Sequence, residues 1–329
     1  MKLIRFDAPG PPDVLQCLDV PVPEPKAGEV LIRAHAIGVG MPDVMIRAGT
    51  YAWMPPLPAT PGTELAGIIE KVGPGVTART VGERVYTTAR ERPQRGGHYA
   101  ECVATPVEAT FSLPESVSFE AAAALANYQV AYHIFHDALR LQRGQTVLVY
   151  AAAGGMGNAL IDFAKAAGLT VIGVVGSDDK AGFARELGAD HVINRKREKL
   201  DERVGAITRG RGVDAIIDPV GGATIPGNLA LLGPCGTLVV YGMLGGKAQL
   251  DLQPTLRQSK NSPALRQFSI HTWDDLVEER RAGMRAVIDL LAVGKLKPRI
   301  HGVLPLAQAK RAHEMLAGGD VLGKLLLRP

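Results

Sequence analysis

Val147-Leu-Val-Tyr-Ala-Ala-Ala-Gly-Gly-Met-Gly-Asn158 passes from an apolar, β-prone run through a chain of small residues into a segment with helical spacing. Thr146 to Ala151 predicts a buried strand, and Leu160, Ile161, Phe163, Ala164 and Ala167 recur as the apolar face of a helix. The turn between them fits the dinucleotide fingerprint as Ala152-x-Gly154-x-x-Gly157, with Gly155 and Met156 filling the interval. Alanine takes the first glycine's place, Gly154 lets the backbone approach a pyrophosphate, and Gly157 lets the helix pack close to the strand. A turn that serves only helix–strand packing is the alternative. The strand on one side and the helix on the other favour nucleotide binding.

Outward from this turn, residues 120–271 alternate short apolar strands with helix-like segments. Strands are predicted at 146–151, 170–175, 190–193, 213–218, 236–241 and 265–270, and helices at 156–167, 179–187, 200–208 and 223–232. Such alternation implies right-handed crossovers and a doubly wound parallel sheet, with ligand at the carboxyl ends of its strands. The last crossover, 242–264, contains Pro254 and Pro263 and reads as irregular. The first 117 residues differ: 30–39, 64–72 and 99–104 alternate in polarity, and Pro and Gly cluster at 9–12, 21–28, 55–62 and 73–75. These residues predict an antiparallel β domain. A long amphipathic helix at 274–293 and strand-like pieces at 298–304 and 324–328 predict a tail that docks back onto it.

Composition narrows the classes further. The 329 residues suggest about two domains, and 46% hydrophobic with 21% charged content is globular, with no run near the ~18 apolar residues of a membrane span. The N-terminal stretch shows no apolar signal region, so nothing argues for export. A net charge of +4 spread over this length is no nucleic-acid footprint. The basic clusters Arg90, Arg92, Arg95 and Arg195, Lys196, Arg197, Lys199 read mostly as solvated surface, Arg195 excepted. Cys17, Cys102 and Cys235 have no C-x-x-C spacing and no disulfide framework, which fits a reducing, cytoplasmic setting.

The motifs together carry a resemblance. Ile46-Arg-Ala-Gly-Thr-Tyr51, Pro61-Gly-Thr-Glu-Leu-Ala-Gly67, Gly97-His-Tyr-Ala-Glu101 and the glycine turn occur in the order of the medium-chain dehydrogenase/reductase superfamily. Within it the chain resembles the zinc-independent quinone oxidoreductase (ζ-crystallin-like) branch over nearly its whole length. The resemblance implies an α/β protein: a GroES-like β-rich catalytic domain, 1–122 with 273–329, and an inserted Rossmann domain, 123–272, with a six-stranded doubly wound parallel sheet and a cleft between the domains. It also implies a homodimer, formed where the sixth strand pairs across a two-fold axis.

Zinc-dependent relatives hold their metal with thiolate and imidazole and leave one position open. Here the place of the first cysteine, Gly40 to Asp43, has no thiol, and the histidine of the Pro-Gly-His-Glu signature is Thr63. His133 and His136 lie three apart on a helix but supply only two ligands, and they read as surface histidines. No metal is expected.

NAD-binding versions of the fold place an acid at the end of the second strand, about 20 residues past the glycines. That place is Val175-Gly176-Ser177, where Gly176 and Ser177 leave room for a phosphate at a helix N-terminus. Lys180 lies one turn in and Arg195 follows the third strand; the family implies that they surround the 2′-phosphate of NADPH. Asp178 and Asp179 stand against this as acceptors for ribose hydroxyls, or else serve as first-turn acids of the helix. By the same resemblance Tyr241, Gly242, Met243 and Phe268 contact the nicotinamide, and Lys324 lies near the cofactor. Each has an alternative as core or rim. Gly242 is the strongest, since close backbone approach to a ring admits no side chain.

Hydride transfer to a simple carbonyl leaves an alkoxide that a metal would stabilise. A quinone or α,β-unsaturated carbonyl leaves a delocalised anion that hydrogen bonds can hold, and such acceptors suit a metal-free site. Tyr51 matches a family tyrosine in the substrate cleft, where it either donates to that anion or only shapes an apolar wall. Asp43 matches an acidic family position and reads as a structural hydrogen bond. Gly40, Met45 and Val130 replace an asparagine, a tyrosine and a threonine of the family pattern, so the pocket, with Trp53, Met54, Leu57 and Phe268, is greasier than its relatives'. The sequence reads as an NADPH-dependent reductase of quinones or enones. An enoyl-thioester reductase, with Arg90, Arg92 and Arg95 on a phosphate, and a non-catalytic NADPH-binding or structural protein stay open.

Overall fold

A computed structural model describes residues 1–248 and 251–329, which fall into two compact units. The first comprises Met1–Ala126, Met284–Gly294 and Pro298–Pro329; the second comprises Asn127–Gly283 and Lys295–Lys297. In chain order the strands are β1 (Lys2–Arg5), β2 (Gln16–Asp19), β3 (Glu29–Val39), β4 (Glu64–Val72), β5 (Arg84–Thr88), β6 (Cys102–Pro106) and β7 (Thr110–Ser112). They continue with β8 (Thr146–Tyr150), β9 (Thr170–Val175), β10 (His191–Asn194), β11 (Val213–Asp218), β12 (Leu232–Val240) and β13 (Ala264–Gln267), and end with β14 (Ile300–Pro305) and β15 (Lys324–Arg328).

The first unit is built on a seven-stranded sheet in the order β14-β15-β3-β4-β5-β7, with β6 also on β3, beside a two-stranded β1-β2 pair. All its pairings are antiparallel except β14 with β15. β3 and β4 are buried over most of their length and feed a core that includes Val30, Ile32, Ile37, Leu65, Ile69 and Val85. The tail closes this core, because β15 pairs with β3 and brings Leu325 and Leu327 into it.

The second unit has a six-stranded, all-parallel sheet in the order β10-β9-β8-β11-β12-β13, so the strand order reverses at β8 and β11. Its central strands β8, β9 and β11 are buried nearly throughout, as both faces of a doubly wound sheet must be. The helices Gly155–Ala166, Asp178–Glu186, Leu200–Thr208 and Ile225–Leu231 fill the crossovers where the polarity pattern places them.

Two expectations change. The crossover 242–264 is not wholly irregular: it holds the helix Leu252–Gln258, while positions 249 and 250 lie outside the described residues. Pro254 sits in the first turn, where a missing N–H breaks no intrahelical bond. His133 is no surface histidine either. It is 1% exposed, its ring lies 4.2 Å from that of Trp273, and its Nδ1 stands 2.7 Å from Asp137.

Candidate active site

The glycine turn is built as its residue types require. β8 ends at Tyr150, Ala151 takes a left-handed φ of 51°, and Gly154 is the extended N-cap of the helix Gly155–Ala166. Left-handed alanine is uncommon and costs backbone energy, which structures retain mostly at functional turns. A Cβ on Gly157 would lie 2.5 Å from the backbone of Ala151 and Ala152, so only glycine lets helix and strand meet. A Cβ on Gly154 would meet only Ala151 O, at 3.5 Å, so its outer side is open. The first-turn N–H groups, Gly155 to Gly157, have no intrahelical acceptor and carry the positive end of the helix dipole. Such an end fits a pyrophosphate.

At the carboxyl ends of β9 and β10 a cavity of about 410 Å³ is lined by Gly176, Ser177, Asp178, Asp179, Asn194, Lys196 and Arg197. Ser177 Oγ caps the helix Asp178–Glu186 by accepting from the Lys180 N–H at 3.4 Å. Arg195 is exposed, and a Cβ on Gly176 would stand 3.9 Å from its Nε. Lys196 and Arg197 read in the sequence as solvated surface and Asn194 carries no expectation there, yet all three line the cavity. The asparagine two residues before Lys196 was a signal, since its side chain accepts from the Lys196 N–H at 3.1 Å in a local turn.

Beneath the reversal point lies a buried polar network. Tyr150 donates to Asn228 Oδ1 at 2.6 Å, Asn228 donates to Asp218 Oδ2 at 2.9 Å, and Asp218 also accepts from the Val220 N–H at 2.7 Å. Burial, and then the Asp218 charge, hold the Tyr150 phenol well above its ordinary range. This network fixes the loop after β11, and Gly242 packs on that loop: a Cβ there would lie 2.2 Å from Pro219 O. Gly242 is therefore already demanded by backbone packing, a reason other than approach to a ring. Tyr241 is half-buried, Met243 is 70% exposed, and Phe268 is buried with its ring 5.5 Å from Trp273.

In the first unit, Asp43 is a buried joint. It accepts from the N–H groups of Gly40 at 2.8 Å and Gly62 at 3.1 Å and from the hydroxyls of Tyr99 at 3.4 Å and Thr63 at 3.5 Å. Burial pushes its carboxyl up to about 7 against the pull of the Gly40 N–H. Glu64, fully buried, holds Lys324 Nζ at 2.6 Å, Tyr86 OH at 3.1 Å and the Ala126 N–H at 2.7 Å. The Lys324 ammonium, expected near the cofactor, is thus engaged inside the first unit's own core. Tyr51 packs half-buried against Phe6, Ile46 and Ala59, with the exposed ring of Trp53 5.7 Å away; Met45 is half-buried. Arg92 and Arg95 each donate to a carbonyl of their own loop, Gly96 and Ala89, and are not simply solvated. Among the described residues no cluster of three or more His, Cys, Asp or Glu side chains could hold a metal.

A GroES-like unit and a dinucleotide-binding sheet define a class, the nucleotide-linked dehydrogenases and reductases. Residues 26–132 match the alcohol dehydrogenase GroES-like domain family and 155–280 the zinc-binding dehydrogenase family. The chain is 33% identical to the quinone oxidoreductase of Rattus norvegicus, covering 99% of this chain and 97% of the relative. It is also 33% identical to a 2-haloacrylate reductase of a Burkholderia species, covering 97% and 96%. The crystal structure of Escherichia coli quinone oxidoreductase complexed with NADPH superposes with a TM-score of 0.89 at 33% identity, covering both chains completely. The chain belongs to the medium-chain dehydrogenase/reductase superfamily, in its quinone oxidoreductase (ζ-crystallin-like) branch. It is an oxidoreductase.

Proposed function

We propose that this oxidoreductase uses NADPH to reduce quinones or α,β-unsaturated carbonyls without zinc. The observation that carries the reading is the cavity lined by 176–179, Asn194, Lys196 and Arg197, where two cations and a helix N-terminus meet at the ends of β9 and β10. That is where this fold discriminates the 2′ position of its nucleotide, and the related Escherichia coli enzyme was crystallised with NADPH. Ala152, Gly154, Gly155, Met156 and Gly157 would hold the pyrophosphate; Gly176, Ser177, Lys180 and Arg195, with Lys196 and Arg197, would hold the adenosine end. Tyr241, Gly242, Met243 and Phe268 are assigned to the nicotinamide end. When bound, NADPH supplies a hydride to an electron-poor carbon. The chain's own part is to orient the acceptor, exclude water and hold the charge that develops on oxygen.

Quinones and 2-haloacrylate, for which two relatives are named, are both conjugated acceptors. Such acceptors need less help than simple ketones, which suits a site with Thr63 and Gly40 in place of metal ligands. Tyr51 is assigned as the oxyanion donor, with Met45 and Trp53 as apolar walls. The test is NADPH oxidation against quinones, enones, enoyl thioesters and aldehydes, with a chelator present throughout. Turnover of quinones or enones is expected, and Tyr51→Phe should lower kcat and kcat/KM together by about tenfold, since an interaction made only as charge develops affects both. Zinc-restored activity, or a rise in KM alone, would overturn the metal-free assignment or the role of Tyr51 respectively. No observation favours the enoyl-thioester reading, because Arg92 and Arg95 already serve their own loop.

The reading extends to assembly and setting. β13 ends the sheet order, and an edge strand left uncovered invites pairing; a homodimer joined along β13 follows, and light scattering at micromolar concentration should give twice the 34.9 kDa chain mass. A monomer would refute it. The three cysteines are free thiols, which supports a reducing, cytoplasmic setting.

A further inference from the structure

Asp178 is the residue that most threatens an NADPH reading, because a first-turn acid at the end of the second strand is what an NAD-type site uses for the ribose hydroxyls. The structure shows what occupies it. Asn194, only 7% exposed, donates from Nδ2 to Asp178 Oδ1 at 2.8 Å. Its amide cannot turn over without loss, since its Oδ1 accepts from the Lys196 N–H at 3.1 Å. Arg197 Nη1 then meets the other carboxylate oxygen, Oδ2, at 2.7 Å. Both oxygens of Asp178 are therefore engaged within the lining of the cavity. An exposed ion pair by itself contributes little. This one differs because a buried, fixed amide sets the carboxylate's position, and through it the position of the guanidinium.

We propose that Asn194 sets the nucleotide preference by holding Asp178 against Arg197, which withholds the acid from the ribose and keeps the guanidinium at the cavity for a phosphate. Asn194 is a positioning residue in this account and Arg197 is the phosphate contact. The proposal rests on the NADPH reading above and adds the reason a chain with an acid at this place can still prefer the phosphorylated nucleotide. With Asp178 neutralised, the repulsion between its carboxylate and a 2′-phosphate is removed before the nucleotide arrives.

The experiment measures dissociation constants of the full-length protein for NADPH and NADH by nucleotide-fluorescence titration, without acceptor. Asn194→Ala is expected to lower the preference for NADPH about tenfold, the worth of one charge-assisted contact, in part by tightening NADH. Adding Asp178→Asn to that variant should recover most of the preference, because the freed carboxylate is gone. Arg197→Ala should weaken NADPH about tenfold and leave NADH unchanged. Asp178→Asn alone should leave the preference near its starting value, since removing a carboxylate that repels the phosphate offsets the loss of the guanidinium's anchor. The proposal is overturned if Asp178→Asn alone weakens NADH tenfold, which would make Asp178 a ribose ligand, or if Asn194→Ala and Arg197→Ala both leave the preference within twofold. Asp178→Asn and Arg197→Ala change exposed side chains, so they decide the matter even if the buried substitution unfolds the chain. If the unaltered protein binds neither nucleotide, the NADPH reading itself falls; if it binds NADPH with the preference unmoved in these variants, only the role of Asn194 falls.

Discussion

Glu64→Ala should lower the thermal unfolding midpoint of the first unit by about 6–20 °C, the consequence of losing roughly 3–5 kcal/mol when one partner of a buried ion pair is removed. Glu64 and Lys324 are 0% and 4% exposed and 2.6 Å apart, so the stranded ammonium has no water to turn to. The Tyr86 hydroxyl and the Ala126 N–H would lose their acceptor at the same stroke. The midpoint is read by circular dichroism against the unaltered protein. Replacing both partners, Glu64→Leu with Lys324→Met, should recover much of the loss, because a pair of apolar side chains leaves no uncompensated charge. A shift of under 2 °C for Glu64→Ala would show that the pair is dispensable.

Gly157→Ala should cut NADPH affinity by about a hundredfold, the scale on which a displacement of about 1 Å at a site is felt. The added carbon would sit 2.5 Å from backbone atoms on the other side of the turn, so the helix must retreat from β8 and carry its N–H groups away from the pyrophosphate. Gly182→Ala is the control. It lies within the helix Asp178–Glu186 with nothing within 4 Å of its would-be Cβ, and it should leave affinity unchanged and stabilise by about 0.4–1 kcal/mol. Nucleotide-fluorescence titration of both variants settles the matter. Unaltered NADPH binding by Gly157→Ala would mean that the turn does not set the phosphate position.

Much of the second unit was legible because its strands and helices differ in period. β8, β9 and β11 lie where apolar runs of five or six residues end at small or turn residues, and the helix after the glycine turn begins at Gly155, one residue before its expected start. Legibility failed where a local signal competed with a tertiary one. Pro254 read as a breaker, yet a proline in a first turn breaks nothing. His133 read as surface because two histidines three apart fall short of a metal site; Trp273, far along the chain, covers it. At the site, Gly157 needed no more than its place in the fingerprint, whereas the engagement of Asp178 by Asn194 and Arg197 depends on the angle at which β10 delivers its last residue. No spacing in the sequence states that angle. Lys324 was readable as a cation near the end of the chain, but its partner, Glu64, lies 260 residues away.

That separation bears on how the protein is made. At roughly 5–20 residues per second, Lys324 is synthesised some tens of seconds after Glu64. β3 can pair early with β4 and β6, but the strand that covers β3 at Ile37–Val39 and neutralises the buried glutamate does not yet exist. During that interval the nascent first unit carries an open sheet edge and an acid that cannot be buried, while the second unit, continuous from Asn127 to Gly283, is free to fold behind it. The half-made chain therefore keeps its N-terminal sheet unfinished, and its closure waits on β15.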